Sequence, residues 1–141
     1  MKRIVSNFLI GFALVGTLAS CGQKKIVASQ LDGRWTLTAL QGEAIEMNNT
    51  PYFEFNLDDN RVSGKAGCNN FNSQIMLDEA DASAIRLTMP ATTMMACPDM
   101  EKESKVLRAF NKVAYVKGGA NKNEVILVDE TGMTVFSLVR N

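Results

Sequence analysis

The sequence predicts an α+β fold, mostly antiparallel β: a curled sheet or partial barrel of about seven or eight strands with one α-helix, about residues 99–113. Three observations predict it. Short runs alternate apolar and polar residues between turn-forming clusters. One segment breaks that alternation with apolar residues at helical spacing. No internal repeat or low-complexity stretch suggests another architecture.

The strands follow in order. Residues 34–40 set Trp35, Leu37 and Ala39 against Thr36 and Thr38, so the Trp35 face should point inward. Residues 52–57 set Phe53, Phe55 and Leu57 against Glu54 and Asn56. Asp58, Asp59 and Asn60 tolerate left-handed backbone and bond their own neighbours, which predicts a hairpin turn with residues 61–65 as its return strand. Further strands are expected at 74–77 and 84–89, separated by the polar Asp78-Glu79-Ala80-Asp81. A last hairpin joins 124–129 to 133–140 through Glu130-Thr131-Gly132. The helix is read from Val106, Leu107, Phe110 and Val113 on one face, with Pro98 at its start. Asp99, Glu101 and Glu103 near its beginning and Arg108 and Lys112 near its end complement the helix dipole.

Residues 1–20 have the zones of a secretory signal. Lys2 and Arg3 precede an apolar run from Ile4 to Val15, too short for a comfortable bilayer span of about 20 residues. Leu18-Ala19-Ser20-Cys21 then places small residues before a cysteine, and this resembles the bacterial lipobox. The resemblance implies cleavage before Cys21, a diacylglyceryl thioether on its sulfur, and often an acyl chain of palmitate type on its amine. One acyl chain holds a protein only marginally, so the multiple chains matter. Gly22, in place of an aspartate, implies sorting to the outer membrane, and the absence of an acidic run after it favours the periplasmic face. The expected organisation is a signal peptide at 1–20, a lipidated tether at 21–30 reaching on the order of 30 Å, and one globular domain at 31–141.

The 121 residues left after cleavage suffice for one core. With 15 basic and 15 acidic residues in the full chain, and two of the basic ones in the signal, neither a nucleic-acid footprint nor a polybasic membrane patch is present. The chain has no histidine, which removes the usual general base, the usual catalytic triad and the commonest metal ligand. No nucleophile elbow, zinc-protease motif or phosphate-binding glycine loop appears. Asp78, Glu79 and Asp81 read as a solvated turn and lack calcium-loop spacing. No enzyme, cofactor or resident metal is expected. Cys68 and Cys97 remain once Cys21 is lipidated. In an oxidising compartment they allow one pairing, which would close a loop of about 30 residues and contribute roughly 3.5 kcal/mol; a buried thiol pair is the alternative.

Two short segments stand out: Gly67-Cys68-Asn69-Asn70-Phe71-Asn72 after a strand, and Thr93-Met94-Met95-Ala96-Cys97 before the helix that contains Glu103. With Trp35 near the domain start and Gly132 in the last hairpin, they resemble the META domain of HslJ-like bacterial lipoproteins over roughly residues 31–139. The positions that match are Gly67, Cys68, Asn69, Phe71, Thr93, Met95 and Cys97. The resemblance implies a fold and an envelope setting linked to stress, heat and drug tolerance, but no reaction. Met94 stands where the family often has a basic residue, and Asn72-Ser73 where a glycine is common. If that basic residue serves a ligand, this chain lacks the contact.

The residues themselves suit a structural role. Gly67 permits close backbone approach, and Asn69 and Asn70 can satisfy loop amides. Partners expected on this reading are membrane lipid through Cys21 and an envelope protein whose identity stays open. Two alternatives carry a ligand. One is small-molecule capture at the barrel mouth. The other is Cu(I) held by Met94, Met95 and Met100, with Met89 and the Cys97 thiol nearby, because soft sulfur ligands select that ion. Methionine is also a common core filler, which competes with the copper reading.

Overall fold

The computed structural model describes residues 26–140; the signal segment and Cys21 lie outside them. Ten strands, β1 (Gly33–Leu40), β2 (Glu43–Ala44), β3 (Tyr52–Asn56), β4 (Arg61–Lys65), β5 (Asn70–Leu77), β6 (Ile85–Leu87), β7 (Ala91–Thr92), β8 (Tyr115–Gly118), β9 (Glu124–Val128) and β10 (Thr134–Val139), accompany one helix, α1 (Met100–Arg108). Eight of the strands form an antiparallel path in the order β6-β5-β4-β3-β1-β10-β9-β8. The path nearly closes on itself. Ala84 faces Tyr115, the Ile85 amide donates to the Ala114 carbonyl at 2.9 Å, and the Val116 amide donates to Ser83 at 2.9 Å. Closure hides the two edges that an open sheet would expose. The expected partial barrel is therefore an almost complete one.

Alternation decides which side chains fill it. Trp35, Leu37, Phe53, Phe55, Val62, Phe71 and Ile75 point inward from β1, β3, β4 and β5 and are buried. Phe53 lies at the centre, its ring 5.1–5.3 Å from those of Phe71, Phe110 and Phe136. Phe110 comes from the helical segment, so the segment after α1 plugs the barrel. The predicted helix over 99–113 is shorter than expected. It ends at Arg108, and Phe110–Lys112 continues as a tighter 3-10 turn. Val106, Phe110 and Val113 are compatible with either winding over so short a stretch, and packing selects the tighter one.

Three further differences from the sequence reading are local. β5 begins at Asn70, so the first motif runs directly into it. β8 was not expected, and β2 and β7 are two-residue pairings made by their neighbours. Residues 28–31 form a 3-10 turn against the barrel, so 28–30 belong to the domain and not to the expected tether. Ala28 and Leu31 are buried, and the Ala28 amide donates to Ala82 at 2.7 Å. The Trp35 indole N–H donates to the Leu31 carbonyl at 2.7 Å, and the Arg140 guanidinium stacks 4.1 Å over the Trp35 ring.

The turns match their chemistry. Asn60 takes a positive φ of 52° in the first hairpin, and Gly132 one of 86° in the last. In that last turn the Asp129 carboxylate accepts the Thr131 amide and hydroxyl and the Met133 amide. The Thr131 hydroxyl, ahead of the backbone donors, holds the Asp129 carboxyl below the ordinary range. Depression means the turn's contribution is present above the unfolded value of about 3.9 and is lost as pH falls through the folded one. An NMR titration should place the Asp129 midpoint below that of Thr131→Val protein.

Gly64 has φ 151°, and a β-carbon there would strike the Tyr52 carbonyl oxygen of the paired strand. A backbone atom held in a ladder cannot move aside cheaply. Gly64→Ala is expected to cost about 2 kcal/mol, read from urea denaturation; an unchanged midpoint would show that the strand shifts freely.

Candidate functional site

The two motif segments meet at one end of the barrel, and the residue that joins them is Glu103 of α1. One carboxylate oxygen, Oε2, accepts the backbone amides of Cys68 at 2.8 Å and Asn69 at 2.9 Å. The other, Oε1, accepts the Asn69 side-chain Nδ2 at 2.6 Å. Glu103 is only 5% exposed, yet it is fully engaged. Asn69 is the second hub. Its Oδ1 accepts the Thr93 hydroxyl at 2.9 Å and the Met95 amide at 2.7 Å, while Nδ2 also donates to the Met95 carbonyl at 3.2 Å. The Thr93 hydroxyl oxygen accepts the Asn70 amide at 3.0 Å. Charge-assisted bonds to a buried carboxylate are the stronger class, and no buried side-chain polar atom among the described residues is left without a partner.

A disulfide between Cys68 and Cys97 closes this knot covalently, with the two Cα atoms 6.2 Å apart. Gly67 has φ 150°, and a β-carbon there would meet the Met47 methyl and approach Glu103 Oε2 at 3.1 Å. Glycine is needed so that the backbone can reach the carboxylate. A strap before β3 completes the arrangement: the Asn48 amide donates to Asp99 Oδ2 at 2.7 Å, and Lys102 Nζ donates to the Glu46 carbonyl at 2.5 Å.

Of the residues singled out in the sequence, Gly67, Cys68, Asn69, Thr93, Met95 and Cys97 are thus brought together. Phe71 is not; its ring joins the core, 4.9 Å from Phe110. Glu103 lies in the first turn of α1, as the dipole reading expects, and its side chain additionally turns inward to serve as the acceptor. The signal was present, because Glu103 shares a helix face with Val106 and Phe110, at offsets of three and seven. An acidic residue on an apolar face needs donors. The departure at Ser73 is also put to use. Its side chain points inward and its hydroxyl donates to the Thr88 carbonyl at 2.7 Å.

The sulfur cluster is arranged otherwise than a copper centre with a thiolate requires, since Cys97 is bridged. Met94 is 94% exposed, and Met89, Met95 and Met100 are each about half exposed. The described residues contain no group of three or more His, Cys, Asp or Glu side chains placed to hold a metal. The barrel interior is packed with aromatic rings, and a cleft of about 810 Å³ opens at the other end beside Trp35, Lys122 and Arg140.

Cys97→Ser removes the loop closure and should lower stability by about 3.5 kcal/mol. Reduction of the native protein should give a similar loss by urea denaturation. Equal midpoints for oxidised and reduced protein would assign the closure to the Glu103 network alone.

The fold and the knot define a small, nearly closed β-barrel whose two signature loops are locked by a buried carboxylate and a disulfide. The chain belongs to the META-domain family, which it matches over residues 28–140. Similar solved structures include the NMR structure of a protein from Burkholderia xenovorans, with a TM-score of 0.62 at 20% identity over 80% of this chain and 85% of that one. A DUF4847-family protein from Bacteroides vulgatus, seen in a crystal structure, has a TM-score of 0.57 at 14% identity, covering 79% and 94%. Both likenesses concern the fold. No curated protein matches the sequence.

Proposed function

We propose that this protein is a lipoprotein of the cell envelope, acylated on Cys21 and held to the periplasmic face of the outer membrane. Its META domain is non-catalytic and acts in envelope stress or drug tolerance through protein–protein contact. The observation that carries the reading is how the motif spends its polar groups. Both Glu103 oxygens and both polar atoms of Asn69 are engaged inside the knot, so the motif's chemistry holds a surface in shape. The large apolar side chains exposed beside the staple are thioethers: Met94 and Met95 before Cys97, and Met100 at the start of α1. Methionine is unbranched and polarisable, and it adapts to partner surfaces of varied shape. The disulfide supports an oxidising compartment, in keeping with the signal and lipobox pattern of residues 1–21.

A photo-crosslinking residue in place of Met94 tests the contact in intact cells. The expected result is one discrete adduct from position 94 and none from Asn121 at the opposite end. Adducts of equal yield from both positions, or from neither, would exclude a specific distal contact. Loss of acyl labelling in Cys21→Ala tests the anchor. The copper alternative has a separate test in anaerobic Cu(I) titration, where absence of binding tighter than micromolar removes it.

A further inference from the structure

We infer that the domain stands on the membrane with one defined end down, and that this end, carrying Ser29, Gln30, Asn121, Lys122 and Arg140, packs against phosphate-bearing lipid headgroups. The inference rests on lipidation of Cys21.

Strand register defines the two ends. Gly33 pairs Phe55, Val139 pairs Glu124 and Gly118 pairs Val125 at one of them. Leu40 pairs Phe136, Thr134 pairs Val128, Lys65 pairs Asn70 and Phe71 pairs Thr92 at the other, where the disulfide knot lies. The described chain begins at the first end: Ile26 lines its cleft, and the Arg140 guanidinium donates to the carbonyls of Gln30 and Asp32. Because Ile26 is already packed against the core, only the residues from Gly22 to Lys25 separate Cys21 from the anchored chain. Fully extended, that connection spans about 17 Å. An eight-residue strand such as β1 covers about 26 Å, or about 20 Å along the axis of a tilted barrel, before any loop is added. A tether this short cannot invert the domain. The first end stays near the lipid and the knot with Met94 faces away.

One cation at the proximal end suits that position: Lys122 is exposed with no ion-pair partner among the described residues. Acidic side chains share this end: the exposed Asp58, Asp59, Asp78, Glu79 and Asp81 lie in its turns, while the two carboxylates nearest the cleft are turned to local donors. Asp32 accepts the Leu57 amide at 3.1 Å, and Glu124 accepts the Ala120 amide and the Asn121 side chain, each at 2.9 Å. Within that setting Lys122 is the ammonium beside the cleft that can meet a lipid phosphate.

The test uses the full mature lipoprotein in nanodiscs of phosphatidylethanolamine and phosphatidylglycerol, with acylation of Cys21 first checked by mass. With a paramagnetic headgroup lipid present, amide signals of Asn121 and Lys122 should be lost while those of Met94 and Thr131 persist. Lys122→Glu should keep the acyl mass and recover part of the proximal signal. An unacylated Cys21 overturns the lipoprotein reading and the orientation with it. Acylated protein whose two ends lose signal equally, or whose distal end loses more, overturns the orientation alone. Acylated protein in which Lys122→Glu changes nothing overturns the headgroup contact.

Discussion

Glu103→Ala is expected to destabilise the domain by about 3–5 kcal/mol, because it strands three donors in a place water does not reach. The amides of Cys68 and Asn69 and the Nδ2 group of Asn69 all point at this carboxylate. Each unsatisfied buried donor costs about 1–3 kcal/mol, and the estimate allows for partial relaxation. In a domain of this size the loss corresponds to a fall in Tm of about 15 °C or more. Glu103→Gln separates charge from geometry. Its carbonyl oxygen can keep the two backbone donors, but its amide nitrogen would face another donor at Asn69. Reorienting the Asn69 amide would then lose Thr93 and Met95 as donors to its oxygen. The glutamine variant should therefore fall between wild type and alanine in urea denaturation. An alanine variant within about 0.5 kcal/mol of wild type would show that the knot adds nothing to stability, a result typical of surface substitutions.

Phe53→Ala should cost a similar amount, about 3–5 kcal/mol, by a different mechanism. Phe53 is fully buried, and its ring touches four others: Phe55, Phe71, Phe110 and Phe136. The cavity left by truncation would lie between strands from both halves of the barrel and the helical plug, so no single element can collapse into it. Phe55 is the control. It too is buried, but among the rings of the described residues it contacts that of Phe53 alone, at 6.4 Å. Phe55→Ala should be the milder variant in the same denaturation series. Equal losses would mean that central position in the aromatic cluster has no special weight.

The two variants illustrate different degrees of legibility. Phe53 was readable as a core residue because β3 alternates strictly, and period two assigns a face without knowledge of any partner. Glu103 was readable as helical and acidic, but two destinations were compatible with those facts. One was the dipole at the helix start and the other was a buried acceptor. Only the arrival of the Cys68–Asn69 backbone, more than thirty residues away in sequence, added the second to the first. Phe71 shows the converse. It sits inside a motif, which drew it into the candidate site, yet the strand period sends its ring to the core.

Short pairings were hidden for a related reason. β2 and β7 have two residues each and exist because a neighbouring strand offers unpaired backbone, a condition absent from local sequence. β8 follows the helical segment, where the buried Val113, Ala114 and Val116 blur the helix and strand periods. The closure through Ala84 and Tyr115 likewise joins segments that carry no mutual signal.

By itself the sequence determined the strand and turn grammar, the helical segment, the inward faces and the family, since these rest on local periodicity and on short residue patterns. It also narrowed the cysteines to one pair. Tertiary structure alone decided that the sheet nearly closes, that Glu103 is the hub of the motif and that the cysteines are bridged. It also set where the domain begins, at a packed turn that starts seven residues after Cys21 in place of a longer tether. The physical reason is the same in each case. Those features depend on long-range contacts that bring together groups whose side chains and backbone have no preference to express until the barrel has formed.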